Sequence, residues 1–194
     1  MAAQLPTDLP IRLFKTEAAW EKWLAAHGDA PGAWLKIAKK DQGVTSVTYS
    51  QALDVALCHG WIDGLKRACD EQYFLQRFTP RKSRSLWSKL NVARVEKLVA
   101  AGRMQAGGLR EVEAAKGDGR WAAAYHAASG METPPELAAA LAKNAKARKA
   151  FEALNGTNRY AFCWRVHTAK KPETKAARVE KFIGMLERGE KIHG

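Results

Sequence analysis

Every strand signal in this 194-residue chain lies at or before Pro80, and every periodic pattern after it is helical. Strands gathered at one end and helices at the other favour an α+β fold over a sheet interleaved with helices throughout. The strand evidence is local. "PGAWLKIAKK" reads as a strand, and "LKRAC" and "QYFLQRFT", parted by Asp70 and Glu71, read as a hairpin because Tyr73, Leu75 and Arg77 alternate with Phe74, Gln76 and Phe78. A small antiparallel sheet packed with helices is the expectation. Two helices accompany it. Thr16 precedes "EAAWEKWLAAHG", which puts Trp20, Trp23 and Leu24 on one face with Gly28 past its end, while Thr48 and Gln51 have the spacing of a capping box ahead of "ALDVALCHG".

After Pro80 the chain reads as a succession of helices. Ser83 or Ser85 is placed to cap a helix running to Ala101, with Val92, Val95, Leu98 and Val99 toward one side and Lys89, Arg94 and Lys97 toward the other. "LREVEAAK" forms another helix before the glycine-punctuated "GDGRW". "SGMETPP" reads as a linker. Thr133 and Glu136 suggest a second capping box with Pro134 at the first helical position, followed by helices in "NAKARKAFEALNG" and "TNRYAFCWRVHTAKK". The last helix starts at Pro172, carries Val179, Phe182, Ile183 and Leu186, and stops before Gly189. The organisation expected is an α+β domain over 1–128 and an all-helical subdomain over 129–194.

A hydrophobic content of 46% is enough for a real core and excludes a disordered tail. No run approaches the ~18 apolar residues that mark a membrane helix. "MAAQLPTDLPIRLF" lacks the basic start, apolar stretch and cleavage site of a secretory signal, so the expectation is a cytoplasmic protein without a membrane span. Cys58, Cys69 and Cys163 fit neither a disulfide framework nor a zinc spacing and read as reduced thiols. Glycine-rich nucleotide loops, zinc-protease helices and calcium loops are missing from the sequence, and neither a metal nor a cofactor is expected.

The net charge of +12 is unevenly placed. Eight basic residues face Glu96 alone from Arg77 to Arg103, nine face four glutamates from Arg159 onward, and the remainder carries fifteen of each sign. The protein reads as a neutral body with two cationic surfaces. Such surfaces attract phosphate, acidic partners, nucleic acid or anionic membrane, and salt weakens the attraction.

The first surface overlaps residues 60–91, where binding residues are densest. Asp63 and Gly64 read as a tight turn after a helix, with Trp61 beside it and an Asp63–Arg77 ion pair as the simplest joint role. In "TPRKSRSLWSK", Arg81 and Arg84 supply forked donors, Ser83 and Ser85 add hydroxyls, and Lys82 and Lys89 add charge at an expected helix N-terminus, a setting that favours an anion. Trp87 is either a stacking plate or the core anchor of that helix. The candidate ligand-binding set is Trp61, Asp63, Arg77, Arg81, Arg84, Ser85, Trp87 and Lys89. Cys58 with His59 and Cys163 with His167 suggest nucleophile pairs, yet each cysteine shares a helix face with apolar neighbours and is better explained as a buried small hydrophobe.

The runs "ALDVALCHGWIDG", "YFLQRFTPRKSRSLWSKLN" and "NRYAFCWRVHTAKKPETKAARVEKFIGMLERGEKIH" resemble the YdeI/OmpD-associated, or bacteriocin-protection, family over roughly Trp34 to His193. The resemblance implies a role in protecting bacteria from antimicrobial peptides and envelope stress, and supplies no catalytic residue. The combined expectation is a non-enzymatic protection protein that binds an anionic ligand or acidic partner. A nucleic-acid binder using segment 77–103 and an enzyme acting on an anionic small molecule are the alternatives.

Overall fold

Phe74, Gln76 and Phe78 face the core from one side of a β-strand while Tyr73, Leu75 and Arg77 face the other, as alternation predicts. The protein is described by a computed structural model covering residues 5–126 and 130–193. It divides into two compact units, Met1–Ala124 and Tyr125–Gly194. The expected boundary between 128 and 129, and the first residue of the expected linker, lie outside the described residues.

The first unit is α+β. Its sheet holds β1 (Ile11–Arg12), β2 (Ala33–Ala38), β3 (Trp61–Ala68) and β4 (Tyr73–Pro80) in the order β1-β2-β4-β3. The β2–β4 and β3–β4 pairs are antiparallel, but β1 runs parallel to β2, so the sheet is mixed where a purely antiparallel one was expected. A two-residue strand is too short to show alternation. The parallel pairing is possible because helix α1 (Glu17–Ala26) supplies the crossover.

The β3–β4 turn is held by Asp70, whose carboxylate accepts from the backbone N–H groups of Gln72 and Tyr73 at 3.0 and 2.7 Å and from Lys36 at 3.1 Å. Burial opposes ionisation, yet these donors outweigh it and bring the Asp70 carboxyl down to about 2. Asp63 and Gly64 are not a turn. They lie inside β3, beside a register shift between Asp63 and Lys66. The buried Gln76 amide donates to the Gly64 carbonyl at 2.9 Å, satisfying a backbone group that the bulge removes from the ladder. The turn itself falls at Gly60, with φ +80°.

Helix α1 is capped by Thr16, and helix α2 (Tyr49–Cys58) carries the full Thr48–Gln51 capping box. Their apolar faces meet the sheet through Trp20, Leu24, Leu35, Ile37, Leu53, Trp61 and Phe78. The buried Trp20 indole donates to the Ala52 carbonyl at 3.0 Å. Helix α3 (Lys89–Ala100) begins later than expected because Ser88, not Ser83 or Ser85, is its cap. Ser85 is occupied in the preceding turn, where its Oγ accepts from the Lys82 N–H at 2.9 Å and its N–H donates to the Lys82 carbonyl at 2.8 Å. Val95 and Leu98 of α3 are buried, whereas Val99 is 48% exposed. Helix α4 (Ala106–Gly117) abuts the end of α2, and the Gln105 N–H donates to the Cys58 carbonyl at 3.0 Å.

The second unit contains α5 (Pro135–Ala142), α6 (Ala145–Glu152), α7 (Gly156–His167) and α8 (Pro172–Glu187). Leu137, Leu141, Phe151, Phe162, Val166, Val179, Phe182 and Leu186 form its core. Pro135 occupies the first helical position of α5, with Pro134 as a cap that makes no side-chain bond, so the expected Thr133 capping box is absent. Among the described residues no helix is long and apolar enough to cross a membrane.

Candidate functional site

The outer face of the sheet holds a cationic cavity. Trp34 of β2 stands opposite Arg77 of β4, and Arg67 projects from β3 toward the same indole. The guanidinium carbons of Arg67 and Arg77 lie 5.9 and 6.0 Å from the Trp34 ring centroid, within cation–π range. Asp8 completes the group. Its carboxylate accepts from the Trp34 Nε1–H at 2.9 Å and pairs with Arg77 at 3.3 Å. The indole hydrogen bond, aided by Arg77 and Arg67 and opposed by burial, holds the Asp8 carboxyl below its usual range. Leu5, Pro6, Thr7 and Leu65 close a cavity of about 390 Å³ around these side chains.

Charge in this cavity is unbalanced, with two guanidinium groups facing the single carboxylate of Asp8 among the described lining residues. Arg67 forms no ion pair and the Arg77 Nε–H has no hydrogen-bond partner among the described residues. A planar guanidinium matches carboxylate or phosphate oxygens in two-point contact, so the arrangement is suited to an anion.

The residues singled out from the sequence are distributed differently than expected. Trp61 is buried, edge-on to Trp20 at 6.2 Å. Asp63 accepts a 2.8 Å hydrogen bond from the Tyr49 hydroxyl, and burial together with that carboxylate pushes the Tyr49 pKa well above its ordinary value. The expected Asp63–Arg77 ion pair does not form. Asp63 stands opposite Phe78, on the core side of the ladder, whereas Arg77 occupies the alternate pleat and takes Asp8 as its partner.

Arg81 is also buried, its guanidinium carbon 3.5 Å from the Trp87 ring centroid and its Nη1 donating to the Leu86 carbonyl at 3.3 Å. Trp87 is a core residue, packed 4.8 Å from Trp121. The Ser85 carbonyl accepts from Arg120 at 2.9 Å, while Lys82, Ser83, Arg84 and Lys89 are exposed. Arg81 is thus held by Trp87 and the Leu86 carbonyl, and the helix that follows is capped by Ser88.

Only Arg77 of the expected set lines the outer-face cavity; Asp8, Trp34 and Arg67 went unrecognised as partners. Their signal was present in the strands themselves. Trp34 alternates with Leu35, and Arg67 sits in "LKRAC", but assigning both to the Arg77 face required the strand order and the register across the bulge.

The cysteines have a plainer role. Burial raises the Cys58 thiol to about 11 and also raises Cys163, so both are protonated near neutral pH and pack as small apolar groups. Among the described residues no group of three His, Cys, Asp or Glu side chains is arranged to hold a metal ion. The second unit carries a groove of about 1050 Å³ between α5 and α8, with Ala140, Val179 and Ile183 among its lining residues and a Glu136–Lys175 ion pair of 2.8 Å beside them.

No curated protein and no solved structure gives a significant match to the chain. Two family models do. Residues 12–111, which include Trp34, Arg67 and Arg77, match "Domain of unknown function (DUF8412)". Residues 130–189, which span α5 to α8, match "Bacteriocin-protection, YdeI or OmpD-Associated". The chain belongs to the DUF8412 family through the sheet-bearing segment that carries Trp34, Arg67 and Arg77, and its helical unit is similar to the bacteriocin-protection, YdeI or OmpD-associated family.

Proposed function

We propose that the protein serves its protective family role as a binding protein for a small anionic group, taken at Arg67 and Arg77 over Trp34. The observation that carries this reading is the pair of guanidinium groups sharing one cavity with Asp8 as the only acid among its described lining residues. A carboxylate or phosphate entering there meets Arg67 without displacing an existing ion pair. Direct capture of a cationic peptide is disfavoured at this cavity by like charge. Arg84 and Lys89, exposed elsewhere on the first unit, add longer-range attraction, while Trp61, Asp63, Arg81, Ser85 and Trp87 act by fixing the local fold. The compartment we propose is the cytoplasm, which keeps three free cysteines reduced.

A thermal-shift series with inorganic phosphate, pyrophosphate and citrate, at matched ionic strength, tests this reading. Ligand at a hundred times its dissociation constant stabilises the native state by roughly 2.7 kcal/mol. For a protein of this size that corresponds to about 5–10 °C in Tm. At least one of the three anions is expected to give such a shift in the wild type and less than half of it in Arg67→Ala and Arg77→Lys. Equal shifts in wild type and variants would remove the cavity as the site.

A further inference from the structure

We propose that segment 82–90 of the first unit is a docking surface for an anionic lipid bilayer. Leu86 and Leu90 are 45% and 65% exposed, although the unit has a large core available to apolar side chains. Lys82, Arg84 and Lys89 lie among them in sequence, are exposed, and make no ion pair among the described residues. No acid interrupts the run before Glu96. Leucines interspersed with unpaired cations suit the boundary between charged headgroups and acyl chains, where lysine and arginine stems cover apolar surface while their charges stay with the phosphates.

The backbone is prepared to present these side chains. Ser85 and Lys82 exchange two hydrogen bonds, Ser88 caps α3, and Arg120 holds the Ser85 carbonyl. Arg81 and Trp87 anchor the segment from below, with Arg81 also donating to the Leu86 carbonyl. A fixed backbone reduces the ordering cost of binding.

The same observations favour lipid over nucleic acid. Binding to single strands uses exposed aromatic rings as stacking platforms, and the aromatic residue of this segment, Trp87, is buried beneath Arg81. The exposed leucines have no comparable use on a phosphate backbone but contribute directly at an acyl boundary.

Flotation of the full chain with phosphatidylcholine vesicles, with and without 30% phosphatidylglycerol, tests the proposal. The wild type is expected to float with the anionic vesicles and not with the neutral ones. Leu86→Ser/Leu90→Ser and Lys82→Gln/Arg84→Gln/Lys89→Gln should each reduce partitioning at least tenfold, while Arg67→Ala retains it. All the altered side chains are exposed, and unchanged circular dichroism and Tm would establish that the variants fold. Absence of the wild type from the anionic vesicles, or undiminished partitioning of the leucine variant, overturns the proposal. So does equally strong retention by oligonucleotides that the leucine variant preserves, since that marks a surface reading phosphate charge alone.

Discussion

Gly108 shows how a single hydrogen atom determines whether two helices can meet. A Cβ at this position would lie 2.2 Å from the Cys58 carbonyl oxygen and 2.7 Å from that of Leu57, both of them backbone atoms. Backbone cannot rotate away as a side chain does, so Gly108→Ala should push α4 off the end of α2 and cost about 3 kcal/mol. The expected readout is a fall in Tm of about 10 °C; a change below 1 °C would mean that the approach is looser than described. This requirement left little trace in the sequence, because Gly107 and Gly108 stand at the start of a helix where glycine has no periodicity to break. Asp63 was misleading for a related reason. An acid followed by glycine is a common turn signature, but here Gly64 accommodates a strand irregularity and the turn falls at Gly60.

Elements were legible where local chemistry fixed them. Thr16 and the Thr48–Gln51 box mark helix starts through hydrogen bonds spanning three residues, and the β4 alternation identifies both sheet faces. Starts that depend on competition are less legible: Ser88 caps α3 because a turn already engages Ser85, and α5 starts at Pro135 behind Pro134, with no side-chain cap. Asn158 is another long-range case. Buried in α7, it accepts from the N–H groups of Ile192 and His193 at 3.0 and 2.9 Å and donates to the His193 carbonyl at 3.1 Å. One side chain thereby fastens the segment beyond α8. Asn158→Ala should release it, and hydrogen exchange at Ile192 and His193 should accelerate at least tenfold, equivalent to about 1.4 kcal/mol of lost protection. Unchanged exchange at both amides would show that other contacts hold the segment.

At the scale of the whole molecule, segregation of strand and helix signals sufficed for the α+β class, and the charge distribution identified cationic segments without revealing their arrangement. The basic stretch 77–89 is divided by the fold. Arg77 belongs to the outer sheet face, Arg81 is buried against Trp87, and Lys82, Arg84 and Lys89 are exposed. A linear count of charge cannot make that division, because it depends on which pleat a strand residue occupies and which loop residue packs beneath its neighbours. Placing Arg67 beside Arg77 and Trp34 depends likewise on pairing β3 and β2 with opposite edges of β4. The central claim is that this assembly binds an anion. Its most direct test is a ¹⁵N NMR titration that follows arginine Nε–H resonances as pyrophosphate is added. The account predicts saturable, matching shifts at Arg67 and Arg77, with little change at Arg94 and Arg120, whose guanidinium groups are already paired with Asp54 and Asp118; uniform small drifts across all arginines, or saturation at others while Arg67 and Arg77 stay still, would contradict it.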